Sequence, residues 1–245
     1  MLSKNQIKVI TSLDKKKYRI KYQLFVVEGR KSIQEFLESD FKLDQLYSVE
    51  DMFEVPDTKK NLISETELKK ISFLTTPNKA LATFRIQESK PIDTNRLIIG
   101  LDNINDPGNL GTIIRLCDWF GIQDIICNLK TVDLFNPKVV QASMGSLTRV
   151  NITYIDLHSY LNSNQISPVY GAFMDGDSVY ASKLDQNGIL ILGNEANGIN
   201  KTIEEFVTHR LSIPHFNPNK KTESLNVATA TAILLSEFKR RTIEK

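Results

Sequence analysis

From Leu97 onward, short apolar runs recur along the chain, and polar stretches or stretches of helical spacing separate them. Leu97 to Leu101, Asp124 to Cys127, Val150 to Ile155, Val169 to Met174, Ile189 to Leu192 and Leu211 to Ile213 read as strands. Leu110 to Phe120, Pro137 to Ser146, Ile203 to Phe206 and Ser224 to Arg241 read as helices. Near-continuous apolar strands separated by helices predict a parallel sheet covered on both faces. Ligands of such sheets bind beyond the carboxyl ends of the strands.

The first part of the chain alternates on a smaller scale. Residues 3 to 21 predict a helix with an exposed basic run, followed by a strand at Gln23 to Val27 and a turn at Glu28-Gly29-Arg30. Ile33, Phe36 and Leu37 stand at i, i+3 and i+4 of an amphipathic helix. A strand follows at Leu43 to Val49, then a helix from Ser64 to Ile71 opened by the pair Ser64 and Glu67 in capping-box spacing, then a strand at Lys79 to Ile86. Gln87 to Arg96 is polar, contains Pro91 and lacks periodicity, as a linker does. The pattern therefore predicts two α/β domains, residues 1 to 90 and 91 to 245.

Charge sharpens this division. The chain as a whole carries only +2, but residues 1 to 92 hold 17 Lys and Arg against 13 Asp and Glu, and the remainder 14 against 16. Between Lys4 and Lys31, nine basic residues face only Asp14 and Glu28. Such a patch suits a polyanion, since each neutralised phosphate releases condensed counterions, though a solvated helix face carries the same signature. Lys15, Lys16, Lys17, Arg19 and Arg30 are the candidate contacts with such a polyanion. The start of the chain has no apolar core of a signal peptide, and no window reaches the length of a membrane helix, so a soluble cytoplasmic protein is expected, with no membrane partner. Cys117 and Cys127 lie inside apolar patterns without metal-ligand spacing and read as buried hydrophobes, so no metal site is expected.

Three segments carry the chemistry: DPGNLGTIIRLCDWFG (Asp106 to Gly121), LILGNEANGI (Leu190 to Ile199) and SIPHFNPNKKTESLNVATATAI (Ser212 to Ile233). In this order they resemble the three motifs of the SpoU, or TrmH-like, RNA ribose methyltransferases of the SPOUT superfamily. FVVEGRKSIQEFL and ISFLTTPNKALATF resemble, more loosely, the substrate-binding domain of rRNA-type members, which is similar to the ribosomal L30e fold. The resemblance implies a C-terminal parallel-sheet domain with a trefoil knot around the third motif and a small L30e-like α/β domain before it. It also implies S-adenosyl-L-methionine as methyl donor, a ribose 2'-hydroxyl as acceptor, RNA as partner (rRNA favoured, tRNA possible) and a homodimer.

On the matching positions the resemblance places Asn109, Arg115, Glu195, Ser224 and Asn226 at the catalytic site, and Gly193, Asn194, Gly198, Ile213 and Leu225 around the cofactor. The residues themselves leave alternatives open. Gly193 either ends a strand or lets backbone approach a ligand closely. Asn109 and Ser224 are also candidate helix N-caps, and Glu195 a cap or a partner of Arg115. Arg115 sits on an otherwise apolar helix, where it needs either a partner such as Asp118 at i+3 or a site. A guanidinium is protonated at neutral pH, so it suits clamping a phosphate or stabilising an alkoxide better than acting as a base. Between Pro214 and Ser224 the loop is longer than the family pattern and carries Lys220 and Lys221, with His215 where the family pattern commonly has a methionine. A non-catalytic RNA-binding factor is disfavoured by the intact polar set, and a nucleotide-dependent dehydrogenase by the absence of G-x-G-x-x-G after the first strand.

Overall fold

The computed structural model describes residues 1–217 and 224–243, the last few in part by backbone alone. Lys220 and Lys221 lie outside the described residues. The chain forms two compact units, Met1–Glu88 with Asp133–Thr148 and Ser89–Val132 with Arg149–Lys245. A boundary drawn only at residue 90 thus misses a return of the chain, in which residues 133 to 148 join the N-terminal unit.

That unit is built on a four-stranded sheet of β1 (Leu24–Glu28), β2 (Leu43–Ser48), β3 (Lys60–Leu62) and β4 (Ala80–Arg85) in the order β1-β4-β2-β3. β4 runs antiparallel to both neighbours, and β2 and β3 are parallel. Helices α1 (Lys4–Ser12), α2 (Lys16–Tyr22), α3 (Arg30–Leu37) and α4 (Glu65–Ile71) accompany it. The capping box of α4 forms as its sequence predicts, with Ser64 and Glu67 each closing on the other's backbone. The helix expected over residues 3 to 21 is split instead. Leu13, fully buried, ends α1, and the carbonyls freed at Leu13 and Asp14 accept from Nη1 of Arg19 at 2.6 and 2.8 Å.

Arg19 is 2 % exposed, and its Nε donates to Oδ2 of Asp133 at 2.9 Å. A second bond from Nη2 reaches the same carboxylate. The return segment is thereby anchored by a buried ion pair, and also by Phe135, whose ring lies 4.5 Å from that of Phe25 in a cluster with Phe36, Phe41 and Phe84. The helix of this segment, α6 (Pro137–Ser143), packs against β1.

Among its described residues the second unit contains six strands, β5 (Leu97–Asp102), β6 (Asp124–Asn128), β7 (Asn151–Ile155), β8 (Val169–Ser178), β9 (Gly188–Gly193) and β10 (His209–Ser212). Their order is β10-β8-β9-β5-β6-β7, and every neighbouring pair is parallel. β5 and β9 are buried almost throughout, which is why both read as unbroken apolar runs. The helices are α5 (Pro107–Trp119), α7 (Leu157–Asn164), α8 (Lys201–Glu204) and α9 (Val227–Ile243). Among the described residues no helix is long and apolar enough to cross a membrane.

The chain leaves β5 towards β6 on one side, whereas β9 lies on the other, so the strand order reverses at β5 and opens a crevice at its carboxyl end. Asp102 ends β5 with 1 % exposure. Its carboxylate accepts from Nδ2 of Asn128 at 2.8 Å and from the backbone N–H of Asn200 at 2.7 Å, tying the end of β6 and the entry to α8 to the switch point.

Removing Asp133 would strand a buried guanidinium. Asp133→Ala is expected to destabilise the protein by about 3 kcal/mol, read as a lowered thermal midpoint, whereas Lys17→Ala on the exposed face of α2 changes stability by no more than about 0.5 kcal/mol.

Candidate functional site

The first motif enters the site through the start of α5. Asp106 is the N-cap, its carboxylate accepting from the backbone N–H of Asn109 at 2.8 Å, and Pro107 occupies the first helical position. Asn109 is therefore not the cap; it lies in the first turn, and its side-chain amide bonds to residues of the other two motifs. Asn226 likewise takes the capping role considered for Ser224. Its Oδ1 accepts from the N–H groups of Ala228 and Thr229 at 3.0 and 3.2 Å at the start of α9.

The second motif forms a tight loop after β9. Asn194 and Gly198 exchange backbone hydrogen bonds of 3.0 and 2.8 Å, and Oδ1 of Asn194 accepts from the N–H groups of Ala196 and Asn197. Nδ2 of Asn194 donates to the carbonyl of Asn103, joining this loop to the end of β5. Gly193 is required by this loop. A Cβ there would stand 2.2 Å from the carbonyl carbon of Gly198. Gly198, at φ +67°, supplies the left-handed turn.

Between these segments runs a directed chain of side-chain hydrogen bonds. Nδ2 of Asn226 donates to Oδ1 of Asn109 at 2.9 Å, and Nδ2 of Asn109 donates to Oε1 of Glu195 at 2.7 Å. Its direction is fixed from both ends. The helix N–H groups can only donate and the ionised carboxylate can only accept, so both amide orientations follow. One residue from each motif is thus held in a single file.

Beside it lies a cavity of about 620 Å³, within the range of small-molecule sites. Gly193, Asn194, Glu195 and Gly198 line it from the second motif, and Ile213, Ser224 and Leu225 from the third. Val227, Ala230 and Leu234 of α9 complete an apolar wall. Ala172, Phe173 and Met174 of β8 also line it, a contribution the sequence reading missed. The pairing of β8 with β10 jumps from Arg210 opposite Gly171 to Leu211 opposite Asp177, so the intervening residues of β8 leave the ladder and rim the cavity. Gly176 permits this, since a Cβ there would stand 2.6 Å from the Arg210 carbonyl.

Arg115 is exposed on α5 and does not line the cavity. It has no hydrogen bond or ion pair with any described residue. The intrahelical partner considered for it, Asp118, is held by Arg149, whose Nε lies 3.0 Å from both carboxylate oxygens. Of the basic candidates, Lys15, Lys16, Lys17 and Arg30 are exposed. Arg19 is not available to a ligand, because its guanidinium is buried on Asp133 and two carbonyls. Cys117 and Cys127 are buried, and burial pushes both thiols far above the ordinary range. Among the described residues no cluster of His, Cys, Asp and Glu could hold a metal ion.

Known proteins share this architecture. A structure from Porphyromonas gingivalis assigned to the TrmH family is 40 % identical, with a TM-score of 0.88 over 98 % of this chain and 99 % of that one. An AdoMet-bound rRNA methyltransferase from Sinorhizobium meliloti is 26 % identical, with a TM-score of 0.88 over 98 % and 96 % of the two chains. The 23S rRNA (guanosine(2553)-2'-O)-methyltransferase RlmP of Bacillus subtilis is 30 % identical across 95 % of this chain and 96 % of its own. Residues 4–82 match the MRM3-like substrate binding domain. Residues 96–236, more than half of the chain, match the SpoU rRNA Methylase family, and the chain belongs to that family.

Proposed function

We propose that the protein transfers a methyl group from S-adenosyl-L-methionine to a ribose 2'-hydroxyl of rRNA. The single observation that carries this reading is the hydrogen-bonded file Asn226, Asn109 and Glu195 standing beside the cavity. The names of the B. subtilis and S. meliloti relatives support rRNA over tRNA as substrate. The knot that the resemblance implies around the third motif, a homodimeric assembly and a cytoplasmic location belong to the same reading.

The residues present suit the donor. Backbone around Gly193, Asn194 and Gly198 offers polar groups without a bulky side chain between them and the cavity, and Ile213, Leu225 and Leu234 offer apolar surface. When bound, the donor supplies a methyl group on a positively charged sulfur, displaced in line by the attacking oxygen. Glu195 lines the cavity and would present its carboxylate near that charge, while Asn109 and Asn226 hold it in one orientation. Ser224 would offer its hydroxyl from the same wall.

Arg115 would act from α5 on the RNA. With no partner among the described residues, its fork of donors would serve a phosphate or the developing alkoxide, and neither role requires the guanidinium to lose its proton. Its service as the base for the 2'-hydroxyl is the second version of the role. The exposed residues Lys15, Lys16, Lys17 and Arg30 would hold the RNA backbone, with Arg19 shaping the element that carries the lysines.

Arg115→Ala is expected to lower methyl transfer by about 100-fold or more with donor affinity by calorimetry within about twofold; retained turnover would reject the assignment. Asn226→Ser keeps a capping hydroxyl for α9 and is expected to leave the thermal midpoint nearly unchanged, while the loss of the donor to Asn109 reduces turnover. Charge reversal at Lys15, Lys16 and Lys17 should flatten the dependence of RNA affinity on salt, and an identical slope would remove these lysines from the interface. Mass spectrometry of rRNA and tRNA from cells with and without the gene identifies the substrate, and a missing methyl group confined to tRNA would overturn the rRNA assignment.

A further inference from the structure

Where β8 leaves its ladder with β10, one side chain reaches across the gap. Arg210 is paired opposite Gly171, and the next pair along β10 is Leu211 with Asp177. Residues 172 to 176 therefore have no partner in β10, yet Ala172, Phe173 and Met174 line the cavity. The Arg210 guanidinium lies 3.6 Å from the centre of the Phe173 ring, its Nη2 donates to Oδ1 of Asp175 at 2.6 Å, and its Nη1 donates to Glu204 of α8. Ser212 fixes the far end of the excursion, donating from Oγ to the carbonyl of Gly176 at 2.7 Å. Phe173 also needs the glycine two residues before it. Both positions project from one face of the strand, and a Cβ at Gly171 would stand 2.5 Å from Cε2 of the ring. The ring is thus held by a cation and given room by a glycine.

We propose that Arg210 is a positioning residue for the methyl donor, holding Phe173 as the wall against which the donor's purine lies. The proposal rests on the reading of the cavity as the site of S-adenosyl-L-methionine. That molecule carries a flat aromatic purine and, at its other end, a sulfonium, and the two ask for opposite surroundings. A ring that already faces a guanidinium has its electron density drawn towards that cation, which weakens a second cation–π contact. Phe173 therefore suits the neutral purine, and the Glu195 carboxylate on the same cavity suits the sulfonium. Arg210 itself is a poor contact for an RNA phosphate. Asp175 and Glu204 both pair with it, and two carboxylates against one guanidinium leave the group net negative.

The full-length protein is titrated by calorimetry with S-adenosyl-L-homocysteine and with adenosine, and methyl transfer is followed at varied donor and at varied RNA. Arg210→Ala and Phe173→Leu, which keeps apolar bulk without a ring, should each weaken both ligands roughly tenfold. The donor KM should rise by a similar factor, with kcat at saturating donor and the KM for RNA within about twofold. The double variant should bind S-adenosyl-L-homocysteine little worse than either single one, because both changes remove the same contact, whereas general losses of stability would accumulate. Arg210→Lys keeps the charge but not the planar fork and should recover little of the affinity. Should Arg210→Ala fail to fold, Phe173→Leu and Arg210→Lys carry the same comparison. Unchanged affinity for S-adenosyl-L-homocysteine in the folded variants would overturn the proposal while the donor reading stands. So would a loss for S-adenosyl-L-homocysteine with adenosine binding intact, or a raised KM for RNA alone. Failure of the unaltered protein to bind either ligand would overturn the donor reading and the proposal together.

Discussion

The site depends on a file of hydrogen bonds whose polarity is set at its two ends. The N–H groups that open α9 require an acceptor, which fixes Oδ1 of Asn226 towards the helix and its Nδ2 towards Asn109. The Glu195 carboxylate requires a donor, which fixes Nδ2 of Asn109 towards it. Neither amide can flip without leaving two donors or two acceptors face to face, so the arrangement is specified although Glu195 and Asn226 are exposed. A capping interaction, ordinarily a matter of helix stability, here also orients a side chain two motifs away in sequence.

The sheet makes this convergence possible. Because every pair of strands is parallel, β5, β9 and β10 deliver their following loops to the same end of the sheet. Asp102 secures that end by accepting from Asn128 and Asn200, and Asn194 ties the second loop to Asn103. The tight approaches at Gly193 and Gly176 show where backbone passes backbone with no room for a side chain. At both positions packing within the protein already demands glycine, whatever else the cavity requires.

Much of this was legible in the residues. Unbroken apolar runs marked the buried parallel strands, and the three motifs named residues that the fold brings together. What escaped depends on partners that a linear pattern does not record. Arg19 looked like one more cation in a basic run, and only its distant partner Asp133 turns it into a buried structural residue. The helix at Pro137–Ser143 announced an apolar face but not that it would pack on β1, more than a hundred residues earlier in the same unit. α7, with the sequence LHSYLNSN, is too polar for its periodicity to stand out, although Asp156 caps it on Ser159. β3 is three residues long and carries no alternation to read. The capping roles of Asn109 and Ser224 were misplaced by a few residues, since Asp106 and Asn226 offer the same chemistry nearby.

The central claim is that Asn109 and Asn226 act as one unit on Glu195. A double-mutant cycle of Asn109→Ala and Asn226→Ala, read as the rate of methyl transfer to RNA at saturating donor, measures this directly. The account predicts that the double variant is little worse than either single one, a coupling of about 1 kcal/mol or more. Losses that simply multiply would show that the two amides work independently and that the file is not what organises the site.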